Sequence, residues 1–72
     1  MPKLPLLSGK AVLAILEKHG FEKVRQKGSH VTLKKEIDDS TYGVVVPLHD
    51  ELAKGTLMSI IRQSGLNKDD FV

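Results

Sequence analysis

Apolar residues recur with a helical period near the start of the chain. Ser8 is a plausible N-cap for the run GKAVLAILEKHG, and Gly20 stands where a left-handed C-cap residue is expected. The apolar positions at helical spacing are Val12, Leu13, Ile15 and Leu16. This pattern predicts a first amphipathic helix.

The middle of the chain changes to strand patterns separated by turn residues. FEKVRQ (21–26) and HVTLKKE (30–36) predict two strands joined by Lys27, Gly28 and Ser29, a short connection suited to an antiparallel hairpin. The stretch IDDST (37–41) has turn residues, and YGVVVP (42–47) predicts a third strand that Pro47 ends.

A second helical pattern follows the third strand. TLMSIIRQSG predicts an amphipathic helix that begins near Lys54–Gly55 or Thr56 and ends before Gly65, and NKDDFV adds a final turn. We find no repeat or internal boundary. The sequence therefore predicts a single α+β domain over residues 1–72, with the order α-β-β-β-α and a three-stranded antiparallel sheet.

Strand alternation assigns the side chains of the second strand to two faces. Val31 and Leu33 are expected to face the helices, which places His30, Thr32 and Lys34 on the outer face. The same alternation groups three basic residues of the first strand, and we expect some of them near His30. These residues are Lys23, Arg25 and Lys27. Gly28 permits a positive φ or a close ligand approach beside the imidazole.

Charge is distributed unevenly along the chain. Residues 1–35 contain eight Lys or Arg against two Glu, a formal charge of +6, whereas residues 36–72 contain three against seven acidic residues, a charge of −4. A local excess of basic residues is typical of a polyanion-binding surface, although a plain solvated face gives the same signal.

Composition narrows the chemistry and the compartment. The chain has no cysteine, which rules out disulfides, thiolate zinc sites and a cysteine nucleophile and suits a reducing cytoplasm. The N-terminal segment MPKLPLLSGK lacks the apolar region of a signal peptide, and no stretch approaches the ~20 apolar residues of a membrane span. We therefore expect a soluble, unprocessed cytoplasmic protein without membrane contact.

The three histidines lie on separate predicted elements. A zinc site would need three or four ligands, so no metal or other cofactor is expected. His19 is most simply a helix-end residue that interacts with the helix dipole. His49 could orient a phosphate or a partner, but an ordinary loop residue is the simpler interpretation. Ser29 beside His30 does not indicate a serine triad, because adjacent strand residues face opposite sides.

Taken in order, four segments resemble one protein family. They are an N-terminal helix ending in HGF, then VRQKGSH, then VVVPLH, and then KGTLMSIIRQSGL with an acidic and hydrophobic end. Together they are similar to the HicA, or YcfA-like, toxins of toxin–antitoxin systems. The resemblance implies a double-stranded-RNA-binding-domain-like (dsRBD-like) fold, an mRNA interferase that inhibits translation, and a HicB-type antitoxin partner. It also implies that the histidine of the GSH element, His30, is catalytic.

The chemistry expected from this resemblance uses the RNA's own nucleophile. An imidazole can move the proton of the 2′-hydroxyl as a general acid or base, and nearby cations or amides can stabilise the phosphorane. The expected RNA contacts are Arg25, Lys27, Gly28, Ser29, Thr32 and Lys34. A non-catalytic RNA-binding module of the same fold and a structural subunit of a complex are the alternatives. We expect the free toxin to be a monomer.

Overall fold

The computed structural model describes residues 6–71, which form a helix, three strands, a second helix and a short 3₁₀ helix. The elements are α1 (Gly9–Lys18), β1 (Glu22–Lys27), β2 (His30–Ile37), β3 (Ser40–Pro47), α2 (Lys54–Ser64) and the 3₁₀ helix (Lys68–Phe71). The strands form one antiparallel sheet in the order β1-β2-β3. The predicted α+β order α-β-β-β-α and the final turn are confirmed. The prediction about a signal peptide falls partly on residues 1–5, outside the described residues.

Both ends of α1 follow from local sequence. The Ser8 side-chain oxygen accepts a hydrogen bond from the Ala11 amide at 3.1 Å, which satisfies one of the free donors at the helix start. His19 is the C-cap residue, and Gly20 follows it with φ +94°. The predicted N-cap and the left-handed glycine are therefore confirmed. Helix α2 begins at Lys54, within the predicted range, and its N-cap residue Ala53 contributes no side-chain hydrogen bond.

A single apolar core lies between the helices and one face of the sheet. Val31 and Leu33 are fully buried, as the alternation predicted, and Val44 and Val46 extend the same layer on β3. The other buried apolar residues come from the helices and loops: Val12, Leu13, Leu16, Phe21, Leu52, Leu57, Ile60, Ile61 and Phe71. No residue of β1 is buried. The outward-facing positions of β2 and β3 are exposed or half-buried, so the outer face of the sheet lies free of the helices.

A bulge in β1 corrects one expectation from the alternation. Arg25 pairs with Thr32 and Lys27 with His30, but Lys23 pairs with Leu33, and the register shifts between Lys23 and Arg25. The extra residue reverses the alternation of the strand, so Lys23 does not share the face of Arg25 and Lys27. The expected grouping of all three basic residues was wrong for Lys23. A hydrophobic pattern could not locate this bulge, because every residue of β1 is exposed.

Both hairpin turns are tight. Lys27 pairs directly with His30, so the first connection contains Gly28 and Ser29 and is one residue shorter than predicted. Ile37 pairs with Ser40 across the second turn, where Asp38 has φ +55°, a conformation that Asp tolerates better than most residues. Within residues 6–71, none of the helices has the length and apolar character needed to cross a membrane.

Candidate nucleic-acid interface and histidine site

The outer face of the sheet presents three cross-strand rows of side chains. The first row is Lys27, His30 and Pro47; the second is Arg25, Thr32 and Val45; the third is Glu22, Lys34 and Gly43. Side chains directly opposite each other on one face lie about 4.5–5.5 Å apart at Cβ, so each row is a set of neighbours. Glu36 and Thr41 continue the same face on β2 and β3. Basic, acidic, polar and small apolar side chains therefore share one uncovered surface, which we call the outer face, and its basic side chains next to His30 are Lys27 and Arg25.

His30 lies at one end of this face, on the central strand of the sheet. It is the first residue of β2, it is exposed, and its direct cross-strand neighbours are Lys27 and Pro47. A lysine ammonium beside an exposed imidazole favours an anionic group at this position. The second row adds the guanidinium of Arg25, whose planar donors suit a phosphate.

The turn before His30 leaves space beside it. Gly28 has φ +59°, and a Cβ built at this position would meet nothing within 4 Å. The glycine is therefore required by its backbone conformation and not by crowding. The Gln26 side-chain amide donates to the Gly28 carbonyl at 3.1 Å and braces the turn. A substrate backbone can approach the turn closely.

Backbone hydrogen bonds join the turn to the loop that follows β3. The Leu48 amide donates to the Ser29 carbonyl at 2.6 Å, and the Gly9 amide donates to the His49 carbonyl at 2.9 Å. A further bond of 2.8 Å links the Leu52 amide to the Leu7 carbonyl. The start of α1 and the loop leading into α2 therefore lie at the His30 end of the sheet. The partial positive charge of a helix N-terminus favours anions.

Four of the six predicted RNA-contact residues share the outer face with His30. Arg25, Lys27 and Lys34 are exposed there together with His30, and Thr32 is half-buried between them. Lys34 has Glu22 as its cross-strand neighbour, which offsets part of its charge. Gly28 and Ser29 form the turn, and the Ser29 carbonyl is engaged by Leu48. Which of these residues contact RNA remains a prediction.

Sequence reasoning did not place His49 at this site. Its backbone is tied to the start of α1, and it lies two residues beyond Pro47, the cross-strand partner of His30. The signal was present in VVVPLH, because the strand that ends at Pro47 must carry the next residues past the first hairpin turn once the strands pair. His19 lies at the opposite end of the sheet, where its carbonyl contacts Lys35.

Among residues 6–71, no three His, Cys, Asp or Glu side chains converge in a way that could hold a metal ion. That cleavage needs no metal ion stays a prediction, which RNA cleavage in the presence of EDTA tests.

Fold and surface together define a class. The described residues form a small α-β-β-β-α domain, consistent with a dsRBD-like fold. Its outer face carries an exposed histidine beside Lys27 and Arg25. A family model described as HicA toxin of bacterial toxin-antitoxin matches residues 9–66. The chain belongs to the HicA toxin family. No curated protein matches it.

Family membership has two consequences. It gives the chain the function of a toxin in a toxin–antitoxin system, and it implies a cognate antitoxin as a partner. The matched region spans α1 through α2, so it includes the whole outer face and the GSH turn.

Proposed function

We propose that the protein is a metal-independent endoribonuclease that cleaves mRNA in the cytoplasm and thereby inhibits translation. The observation that carries the proposal is the position of His30: an exposed imidazole directly across from Lys27, behind an open glycine turn on a basic face. Such a group can reach a phosphodiester and exchange a proton with it.

The substrate supplies the nucleophile. His30 acts as general acid or base on the 2′-hydroxyl or the leaving oxygen, and its imidazole type is suited to proton transfer near neutral pH. Lys27 and Arg25 are the closest basic neighbours on the outer face, and they stabilise the charge that develops on the phosphorane. Thr32 and Lys34 extend the contact along the RNA backbone.

One acid–base group contributes typically ~10²–10⁴ in rate, so a slow ribonuclease is expected. A His30→Ala variant should lose cleavage and toxicity and keep its fold, because an exposed residue at a strand start contributes little packing. His19→Ala is the matched control, since it removes an imidazole at the far end of the sheet.

Three measurements on both variants test the proposal: RNA cleavage on gels, growth arrest on expression, and circular dichroism. Undiminished cleavage by folded His30→Ala protein would remove this residue from the mechanism. If the wild-type protein retards RNA in a gel shift and never shortens it, the protein is a non-catalytic RNA-binding module.

We also propose that the partner is a HicB-type antitoxin that covers the outer face and His30. The His30 end of the outer face carries Lys27 and Arg25 and has no helix packed on it. An acidic partner would associate with this end rapidly through complementary charge.

A further inference from the structure

We propose that His49 is a second catalytic residue, which acts together with His30 as an acid–base pair on one phosphodiester. The inference rests on the proposed ribonuclease function and adds a residue that the function above does not use.

The two histidines flank a single backbone hydrogen bond. His30 directly follows Ser29 and His49 directly follows Leu48, and the Leu48 amide donates to the Ser29 carbonyl at 2.6 Å. This bond extends the β2–β3 pairing one residue beyond the last paired residues, His30 and Pro47. His49 lies beyond the end of β3, and in this extended register it is the diagonal neighbour of His30. Diagonal neighbours on a sheet face are about 7–8 Å apart.

Side-chain alternation places His49 on the outer face. Pro47 shares the outer face with His30, Leu48 is half-buried against the core, and His49 is exposed. Continued pairing would set His49 opposite Gly28, where the missing side chain leaves open space. No side chain therefore projects from Gly28 between the two histidine positions.

The loop that carries His49 is held on both sides. The Gly9 amide donates to the His49 carbonyl at 2.9 Å, and the Leu52 amide donates to the Leu7 carbonyl at 2.8 Å. A Cβ at Gly9 would lie 2.2 Å from the Pro47 carbonyl oxygen, so α1 approaches this loop as closely as a glycine allows. The backbone that carries the exposed His49 imidazole is therefore held in a defined position.

Cleavage through the 2′-hydroxyl needs two proton transfers. A base removes the 2′-hydroxyl proton as the 2′-oxygen forms a bond to phosphorus, the bond from phosphorus to the 5′-oxygen breaks, and an acid protonates that leaving oxygen. The products are a 2′,3′-cyclic phosphate and a 5′-hydroxyl. Base and acid act on oxygens on opposite sides of the phosphorus, so two separated imidazoles satisfy both steps, whereas one must serve them in turn.

Charged residues around the pair come from several elements. They are Asp50 and Glu51 on the loop, Lys27 at the end of β1, Lys10 in the first turn of α1 and Lys54 at the start of α2. Both carboxylates directly follow His49 in the chain, whereas Lys27 is the cross-strand neighbour of His30.

The test compares His49→Ala with the His19→Ala control on the full chain. We expect His49→Ala to slow single-turnover cleavage of an RNA oligonucleotide by about 10²-fold or more. Binding of the same oligonucleotide with 2′-O-methyl groups, which cannot be cut, should stay within about twofold, since the loss is in catalysis. His19→Ala should match the wild-type protein in both assays.

Two further readouts separate catalysis from a structural role. The pH–rate profile of the wild-type protein should have two limbs, and His49→Ala should lose one of them. A substrate with a 5′-bridging sulfur has a leaving group that needs no proton, so it should restore the rate of whichever variant, His30→Ala or His49→Ala, lacks the acid.

The acid–base pair would be contradicted if His49→Ala cleaved RNA at the wild-type rate, or if it cleaved more slowly but kept both limbs of the pH–rate profile. Either result would leave the proposed role of His30 unaffected. If the wild-type protein does not cut RNA at all, the proposed ribonuclease function fails and the pair fails with it.

Discussion

The Lys35 ammonium donates a hydrogen bond of 2.5 Å to the backbone carbonyl of His19, the residue that caps the C-terminus of α1. The same ammonium lies 5.9 Å from the centroid of the Phe21 ring. A cation is stabilised at the negative C-terminal end of a helix dipole, and it is also stabilised over the face of an aromatic ring. Lys35 therefore stabilises the fold. Its neighbour Lys34, in the same basic part of the sequence, is instead exposed on the outer face.

Replacing Lys35 with Met should lower the free energy of unfolding by about 1–2 kcal/mol, because the helix end loses a charged hydrogen-bond donor and the ring loses its cation. RNA affinity should change little. Urea unfolding followed by circular dichroism measures the first effect.

Lys34→Met is the matched control, since it removes the same charge one residue away. Its stability should stay within about 0.5 kcal/mol of the wild type, while the salt dependence of RNA binding should fall by about one unit of slope. Equal losses of stability in the two variants would contradict the assignment of Lys35 to the core side and Lys34 to the outer face.

Gly9 is required by the close approach of α1 to the Pro47–Leu48 backbone. A Cβ at this position would lie 2.2 Å from the Pro47 carbonyl oxygen and 2.8 Å from the Leu48 Cα, and backbone atoms cannot give way cheaply. Gly9→Ala should therefore destabilise the protein by about 1–3 kcal/mol. Because the same segment holds the loop of His49, cleavage should also fall in protein that remains folded.

Gly55→Ala provides the control for Gly9→Ala. Gly55 lies in the first turn of α2, and a Cβ there would meet nothing within 4 Å. The substitution should stabilise the helix by up to about 1 kcal/mol. Thermal unfolding of Gly9→Ala and Gly55→Ala measures both effects. A Gly9→Ala protein as stable as the wild type would show that α1 can shift without loss of stability.

The turn requires glycine at position 28 because of the positive φ there and not because of crowding. At φ +59°, Gly28→Ala should cost about 1–2 kcal/mol through backbone strain alone, and Gly28→Asn should cost less, because Asn tolerates the left-handed conformation. Unfolding midpoints in urea rank the three proteins. The opposite ranking, with Asn the less stable, would mean that side-chain volume at the turn matters more than backbone conformation.

Alternation and turn chemistry predicted much of the fold. Val31 and Leu33 are buried, His30 is exposed, and Ser8 and Gly20 bound α1, because each of these features depends on neighbours in sequence. The bulge after Lys23 was not predictable, since a fully exposed edge strand carries no apolar pattern to reveal its register.

Long-range contacts were the other part that the sequence could not supply. Lys34 and Lys35 look equivalent in the sequence, and only the packing of α1 against the far end of the sheet gives them different roles. His49 likewise resembles an ordinary loop residue until the Leu48–Ser29 hydrogen bond carries it past the turn beside His30. Both assignments depend on residues far apart in the chain.

Antitoxin binding should protect the outer face. In the complex, chemical acetylation of Lys27 should slow strongly relative to the free toxin, because the partner covers the row that contains His30. Lys68, exposed in the C-terminal 3₁₀ helix, is the internal control and should react equally in both states. Mass spectrometry of digests gives both rates. A complex that blocks cleavage while Lys27 stays fully reactive would place the antitoxin elsewhere.

The end groups of the cleaved RNA decide the nature of the nucleophile. If the 2′-hydroxyl attacks, cleavage should persist in EDTA and leave a 2′,3′-cyclic phosphate or a 3′-phosphate, which mass spectrometry of the fragments identifies. A substrate with one 2′-deoxy nucleotide on the 5′ side of the scissile phosphate should resist cutting at that step, while the same substitution one nucleotide further away should have little effect. Equal cutting of the two deoxy substrates, or fragments with a 5′-phosphate and a free 3′-hydroxyl, would mean that water attacks the phosphorus and that His30 activates water instead.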